Sequence, residues 1–291
     1  MPLLDDFFRR DSDSSELSFS DAESYVADGD LIPEQEAIHV GTLHQHPVRH
    51  AAVRLGAGAG AGELANARAD EAAARTITIH EDTQGGCGGK AWPAATVLSN
   101  YISHRRVAGT FPYSRIFELG SGTGLVGLVA AVEPPADQHV AVSDLELFVP
   151  LMQLNADVNL TASEKAQLSV TACCWGEPLS DKVKSLLPLD LILAADCTYL
   201  ESLFDPLIST LRELASPSTE IWISYKKRRK ADKRFWLRLV KYFDVHEIMD
   251  HPDREQYRLD SLYLYRATLK TGPRRSPAPP KALRGVIDRE I

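Results

Sequence analysis

The feature that most constrains this chain is the segment Glu118–Gly124, which reads Glu-Leu-Gly-Ser-Gly-Thr-Gly. It follows the apolar pair Ile116 and Phe117 and opens an apolar helical pattern that runs to Val132. This order predicts a strand, a glycine loop and a helix. Glycines let the backbone turn sharply and approach a ligand closely, and the helix N-terminus offers unpaired amides. We therefore expect a nucleotide-like cofactor at this loop.

The loop alone is compatible with two cofactors. Gly122, Gly124 and Gly127 satisfy the dinucleotide fingerprint G-x-G-x-x-G, and Asp144 follows about 20 residues later, as that fingerprint expects. Glu118, however, supplies a carboxylate that can attract the cationic amino group of a methionine moiety. The same carboxylate has no favourable charge interaction with a pyrophosphate. No second domain to hold a hydride acceptor is evident after Asp144. S-adenosylmethionine is thus favoured, with a nicotinamide cofactor as the alternative.

Strand and helix patterns alternate through the middle of the chain, which predicts a Rossmann-like, seven-stranded, mostly parallel sheet with helices on both faces. The predicted strands are Arg115–Leu119, His139–Ser143, Leu168–Ala172, Leu189–Ala194, Glu220–Ser224, Phe243–Ile248 and Leu262–Ala267. The predicted helices are Pro93–His104, Leu125–Val132, Val149–Asn159, Ser202–Leu214 and Ala231–Tyr242. Ligands of such sheets bind beyond the carboxyl ends of the strands.

The ends of the chain differ from the middle. Residues 1–36 are rich in acidic residues and serine, a composition typical of disordered tails. Residues 37–84 form an N-terminal extension, in which Ala37–Leu55 and Thr76–His80 are expected to pair as a hairpin around the Gly/Ala-rich segment Gly56–Ala74. We assign residues 85–270 to the main domain and residues 271–291 to a basic, proline-rich tail.

Composition excludes several classes of function. A net charge of -8 argues against a direct nucleic-acid role, since phosphate-tracking surfaces usually carry a basic excess. The four cysteines show neither C-x-x-C pairs nor clustering with histidine, so no metal site is expected. No apolar run of about 18 residues and no signal-like start are present, which favours a cytoplasmic, non-membrane protein. We expect a monomer.

Candidate functional residues fall at the predicted strand ends. Asp144 ends the second strand, where its carboxylate can accept ribose hydroxyls or, alternatively, cap the next helix. Trp175 follows the third strand and can lie beside an adenine or belong to the core. Asp196 and Tyr199 follow the fourth strand, where they can flank the transferred methyl group or act as a helix cap and a packed aromatic residue.

Taken together, the motifs resemble those of seven-β-strand protein-lysine methyltransferases of the methyltransferase-like 21 type. The resemblance covers about Thr76–Lys270. It is carried by the Glu118–Gly124 loop and by Gly88-Gly-Lys-Ala-Trp-Pro-Ala-Ala95, Asp144, Trp175-Gly176 and Ala195-Asp-Cys-Thr-Tyr-Leu200. The stretch Tyr225–Asp232 and the pair Phe235-Trp236 look most like the fungal elongation factor methyltransferase 6 branch of that family.

The resemblance implies a class I S-adenosylmethionine-dependent methyltransferase acting on a lysine of a folded protein, translation elongation factor 1-alpha. Asp196 and Tyr199 match the Asp-x-x-Tyr motif that flanks the target lysine, so they are the candidate catalytic residues. The candidate cofactor-binding residues are Trp92, Glu118, Gly120, Ser121, Gly122, Gly124, Asp144, Trp175 and Ala195. This chain departs from the family pattern in its acidic tail, in the Gly56–Ala74 insertion and at Pro93 and Ser143.

Other functions remain open at this point. A methyltransferase acting on another protein, a nucleic acid or a small molecule would share the cofactor loop. Enzymes that methylate base amino groups commonly carry two prolines after the Asn or Asp of the fourth strand, whereas Cys197 and Thr198 stand here. A non-catalytic S-adenosylmethionine-binding module is a further alternative. The basic run Lys226–Lys230 is either a solvated loop or a docking site for an acidic protein surface.

Overall fold

The structure is a computed structural model that describes residues 43–44, 75–82, 87–228 and 232–271. The predicted acidic tail at 1–36, the Gly/Ala-rich segment 56–74 and all but the first residue of the basic tail lie outside these ranges. Among the helices of the described residues, none is long and apolar enough to cross a membrane.

The main sheet has seven strands and confirms the predicted fold class. The bounds are β3 Arg115–Leu119, β4 His139–Asp144, β5 Leu168–Ala172, β6 Leu191–Ala195, β7 Glu220–Lys226, β8 Phe243–Glu247 and β9 Leu262–Leu269. The spatial order of these strands is β5-β4-β3-β6-β7-β9-β8. The first five strands in this order are parallel to one another, whereas β9 runs antiparallel to both β7 and β8.

The five predicted helices are present, and three shorter ones occur that the sequence pattern did not predict. The predicted set is α1 Pro93–Val107, α2 Leu125–Ala131, α3 Val149–Asn159, α6 Phe204–Leu214 and α7 Asp232–Leu239. The additional helices are α4 Ala162–Lys165, α5 Asp181–Lys184 and α8 Arg254–Leu259. Local side chains explain two of these starts, because the hydroxyls of Thr161 and Ser180 cap the first turns of α4 and α5.

Alternating side chains of the central strands divide the core into two layers. In β6, Leu191 and Leu193 face the layer that holds α1, α2 and part of α3, whereas Ile192 and Ala194 face the layer that holds α5, α6 and α7. Both sets are fully buried. Burial on both faces is characteristic of a parallel sheet covered by helices, and it leaves the strand ends as the place for loops and ligands.

The N-terminal segment 75–82 packs into the first of these layers. Ile77 and Ile79 are buried in the same cluster as α1 and α2. The side-chain amide of Asn155 in α3 bonds the backbone of His80, with the His80 amide donating at 2.7 Å. The two-residue strands β1 (Leu43–His44) and β2 (Ile79–His80) pair antiparallel, within the two segments expected to form a hairpin.

We predict that Ile79→Ala lowers the free energy of unfolding by about 2 to 5 kcal/mol, because it removes a fully buried side chain from a packed layer. Urea denaturation followed by circular dichroism measures the change. Leu259→Ala, at a position that is 79% exposed, is the matched control and should shift stability by less than about 0.5 kcal/mol. Equal, small effects for both variants would show that segment 75–82 is peripheral to the fold.

Candidate functional site

The glycine loop lies where the winding of the sheet reverses, since β3 has β4 on one side and β6 on the other. Gly120, Gly122 and Gly124 have φ values of +64°, +53° and +82°, in the left-handed region that favours glycine. A Cβ added to Gly120 would lie 2.7 Å from Cζ2 of Trp175 and 2.8 Å from Sγ of Cys197. The loop therefore excludes side chains both by its backbone geometry and by its neighbours.

Asp144, at the end of β4, holds the loop through its carboxylate. Oδ2 accepts the amide of Gly122 at 2.7 Å, and Oδ1 accepts the amide of Leu145 at 2.7 Å. Burial raises the pKa of Asp144 to about 6, although these two amides lower it. Each carboxylate oxygen has a second lone pair, so Asp144 keeps acceptor capacity for ribose hydroxyls.

Glu118 lies beneath the loop. Its side chain is buried, and Oε2 accepts the amide of Gly127, in the first turns of α2, at 2.7 Å. Burial raises the pKa of Glu118 to about 8, so the group is largely protonated at neutral pH. The carboxyl group thus ties the loop to the helix, and a nearby ammonium would be needed to restore its charge.

Ser121 and its neighbours pin the loop from the side of β4. The Ser121 amide donates to the carbonyl of Ser143 at 2.9 Å, and the Ser143 amide donates to Ser121 Oγ at 3.0 Å. Ser143 Oγ in turn donates to the carbonyl of Glu118 at 2.7 Å. Ser143, which departs from the family pattern, is fully buried, and its hydroxyl group forms a hydrogen bond within the chain.

Residues after β5 and β6 form the other wall. Trp175 is partly buried against the second core layer, with its ring edge at Gly120. Cys197 is buried, and its thiol lies 3.3 Å from the carbonyl of Leu119 in donor geometry. Burial raises the pKa of this thiol well above its usual value, which keeps it a donor. Ala195, the last residue of β6, is half-buried beside them.

Trp92 lies on the other side of the loop, at the start of α1. Its indole Nε1 donates to the carbonyl of Cys87 at 2.8 Å. Lys90 Nζ and the guanidinium carbon of Arg228 each lie 5.3 Å from the centre of the Trp92 ring, within cation–π range. In this structure Trp92 therefore contacts cations next to the cofactor loop, and its predicted contact with the cofactor stays a prediction.

The candidate catalytic residue Asp196 is paired with Arg228. The guanidinium binds both carboxylate oxygens, with Nη1 to Oδ1 at 2.8 Å and Nη2 to Oδ2 at 2.6 Å. The Lys226 amide also donates to Oδ1, at 3.2 Å. Asp196 is buried and has a φ of +57°, a left-handed conformation that Asp tolerates better than most residues. Both oxygens of its carboxylate thus have hydrogen-bond partners within the chain.

Tyr199, the other candidate catalytic residue, is 43% exposed at the same edge. Desolvation raises the pKa of its hydroxyl above the usual value, and a hydrogen bond with the Cys87 side chain acts in the same direction. The charges of Cys197 and Asp144 act in the same direction. Tyr199 follows β6, so it lies at the same sheet edge as Asp144 at the end of β4 and the glycine loop after β3.

Two residues of this site were missed by sequence reasoning. Arg228 was considered only as part of a basic run, either solvated or used for docking, and Cys87 only as one of four cysteines without a metal-binding pattern. The charge pattern itself could have suggested a pairing, because the run Lys226–Lys230 follows the strand adjacent to the one that ends before Asp196.

The docking interpretation of the basic run is weakened by its ion pairs. Arg228 binds Asp196, and the following Arg234 binds Glu201 at 2.5 Å. Arg228 and Arg234 are therefore each compensated by a carboxylate of the same chain. Among the described residues, no cluster of three or more His, Cys, Asp or Glu side chains is placed to hold a metal ion.

Comparisons with known proteins give one family. The family model described as lysine methyltransferase matches residues 71–242. Protein-lysine N-methyltransferase EFM6 of Saccharomyces cerevisiae is 37% identical over 67% of this chain and 86% of that protein. Protein N-lysine methyltransferase METTL21A of Danio rerio is 34% identical over 62% of this chain and 78% of that protein. EEF1A lysine methyltransferase 3 of Xenopus tropicalis is 30% identical over 62% of this chain and 76% of that protein.

We predict that Gly120→Ala weakens binding of S-adenosylmethionine at least tenfold, because the new Cβ displaces Trp175 and Cys197 from the loop. Isothermal titration calorimetry measures the affinity. Gly109→Ala is the matched control: Gly109 also has a left-handed φ, of +67°, but a Cβ there meets nothing within 4 Å. It should cost stability without changing affinity. Unchanged binding in Gly120→Ala would place the cofactor elsewhere.

We predict that the affinity for S-adenosylmethionine rises about tenfold between pH 5 and pH 7. The pKa of Asp144 is raised to about 6, so its carboxyl group is mainly protonated at pH 5, and hydrogen bonds from ribose favour the ionised form. Binding should then release a proton below pH 6. The negative charge of Asp144 also raises the pKa values of four neighbouring groups, which are Glu118, Cys173, Cys197 and Tyr199.

Calorimetry in buffers of different ionisation enthalpy measures both the affinity and the released proton. Asp144→Asn should bind more weakly and lose the dependence in this window, leaving only the contribution of Glu118 near pH 8. A wild-type affinity that stays constant from pH 5 to 7 would remove Asp144 from ribose recognition.

Proposed function

The chain belongs to the lysine methyltransferase family, and on this premise we propose that it methylates a lysine of translation elongation factor 1-alpha, using S-adenosylmethionine. The family match confirms the resemblance read from the motifs, the enzymatic class and the cofactor. The identity of the substrate is supported by the name of the Xenopus relative, an EEF1A methyltransferase, and by the branch that the motifs resemble.

The residues at the strand ends fit this cofactor. The left-handed glycines turn the backbone sharply after β3, and the Asp144 carboxylate retains lone pairs for two hydroxyl groups. Trp175 lies beside the loop with its ring edge at Gly120. When bound, S-adenosylmethionine supplies a methyl group on a positively charged sulfur. The observation that carries the proposal is this convergence of the loop, Asp144, Asp196 and Tyr199 at one sheet edge.

The protein's task is to deliver a neutral amine to that edge. A lysine side chain has a reference pKa of about 10.4 and no lone pair while it is protonated. Desolvation at the site, and the positive charge of the cofactor, favour loss of the proton. Displacement at a methyl group then needs alignment above all, and alignment by bound groups can lower a barrier by several kcal/mol.

Asp196 and Tyr199 are suited to that alignment. We assign to Asp196 the attraction of the incoming ammonium through its carboxylate, at the end of β6. Tyr199, exposed at the rim, lines the approach and presents its ring face to the cation. We further propose that the enzyme acts as a monomer on a folded protein of the cytoplasm.

The test is incubation of the purified protein with tritiated S-adenosylmethionine and unmethylated elongation factor 1-alpha, followed by mass spectrometry of the labelled band. We expect methyl-lysine at one site. Label on another protein of a cell lysate, and none on this factor, would replace the substrate. Label in nucleic acid or small molecules would contradict protein methylation. Cofactor binding without any label would indicate a non-catalytic module.

We predict that Asp196→Asn lowers kcat on the order of a hundredfold, because the amide no longer orients a cation, while cofactor affinity stays within about twofold. Single-turnover kinetics and calorimetry measure the two quantities. A matched control is Asp205→Asn. This variant removes an exposed carboxylate of α6 that is paired with Arg238 of α7, and it should leave kcat unchanged. An equal loss of cofactor affinity in Asp196→Asn would move Asp196 to the cofactor pocket.

A further inference from the structure

Arg228 lies where the proposed function requires a substrate cation. Its guanidinium makes a bidentate contact with the Asp196 carboxylate, at 2.8 and 2.6 Å, and lies 5.3 Å from the centre of the Trp92 ring. These are the interactions that would recognise a lysine ammonium: a carboxylate as counter-charge and an aromatic face beside it. With Arg228 in place, both groups are engaged by the protein itself.

We propose that Arg228 is an internal competitor of the substrate, a cationic gate that closes the lysine site until the target lysine displaces it. The inference rests on the proposed function, because that function assigns Asp196 to the incoming ammonium. It gives the basic segment after β7 a role in selecting the substrate.

The two partners of the ion pair differ in burial, and the more exposed partner is the one that can leave. The side chain of Asp196 is 5% exposed and that of Arg228 is 36% exposed, so the arginine approaches from the solvent side. Its backbone is held separately, since the Arg228 amide donates to Oδ2 of the buried Asp232 at 3.0 Å. The guanidinium can therefore move outward while the Arg228 backbone stays bonded to Asp232.

Exchange of one cation for another keeps the charge balance of the site. A buried carboxylate that loses its partner is strongly destabilised, so departure of the Arg228 guanidinium favours entry of another cation beside Asp196. A lysine ammonium entering as Arg228 leaves satisfies this need. A residue that cannot supply the cation, or a partner surface that cannot bring it close, leaves the gate shut. The pair thereby discriminates in favour of well-docked lysines.

The competing explanation is that the pair only pins the segment after β7 to the end of β6. The two explanations differ in sign. Removal of a gate improves access, so Arg228→Ala should lower the KM for the protein substrate about tenfold, which is the effect of a competitor worth about 1.4 kcal/mol. Removal of a pin disorders the site, so KM should stay unchanged or rise while kcat falls.

Methylguanidinium corresponds to the head group of the arginine that Arg228→Ala removes. Its effect on the variant further distinguishes the gate explanation from the pin explanation. If Arg228 is a gate, this ion should inhibit Arg228→Ala competitively against the protein substrate and leave the wild type unaffected. If Arg228 is a pin, the ion should restore activity to the variant. Arg254→Ala removes a comparable arginine from Glu247, bonded at 3.0 and 2.9 Å, far from the loop, and should respond to the ion in neither way.

A binding measurement tests the gate without any substrate protein. n-Butylammonium, which mimics the lysine side chain, should raise the thermal midpoint of Arg228→Ala at constant ionic strength but not that of the wild type. Adding Asp196→Asn to Arg228→Ala should abolish the shift. If elongation factor 1-alpha is not methylated, this titration still decides the matter. Equal shifts in the wild type and Arg228→Ala, or none in either, would overturn the proposal.

Discussion

The left-handed turn through Gly120 and Gly122 is the constraint on which the site depends. Because no side chain fits at Gly120, Trp175 and Cys197 can close on the backbone from one side. The carbonyl of Gly88 approaches Gly122 from the other side, in space that a Cβ would take. Loops from three separate parts of the chain, around Gly88, Trp175 and Cys197, thus converge on one turn at the same sheet edge.

Internal hydrogen bonds give that turn its rigidity at the cost of buried carboxyl groups. Asp144 and Glu118 each accept a backbone amide of the loop or of the following helix, and burial raises the pKa of both. A cofactor that brings hydroxyl donors and an ammonium group favours the ionised forms of the two acids. The raised pKa values of the two acids therefore predict that the affinity for S-adenosylmethionine depends on pH.

Much of the fold was predictable from local pattern. β3 and β5 have the predicted bounds because each is a short apolar or β-branched run between turn residues, and α3 begins at Val149 with a proline in its first turn. The short helices α4, α5 and α8 were missed because four to six residues carry no periodic signal. The burial of Ile77 and Ile79 depends on packing against α1 and α2, which no local pattern encodes.

The site residues show the same division. The turn at Gly120 and Gly122 and the position of Asp144 follow from spacing, whereas the pairing of Asp196 with Arg228 joins residues 32 positions apart. Parallel pairing of β6 with β7 brings the ends of those strands together and so makes the ion pair possible. Arg228, one residue of a basic run that the sequence suggested as a docking surface, is in three dimensions the counter-charge of a buried carboxylate.

A crystal structure of the protein with S-adenosylhomocysteine tests the central claim most directly, because it locates the reacting sulfur relative to these groups. The account predicts ribose hydroxyls within about 3 Å of the Asp144 carboxylate and the sulfur facing the edge formed by Asp196 and Tyr199. A ligand bound away from the Gly120–Gly124 turn, or a sulfur directed away from Tyr199, would contradict it.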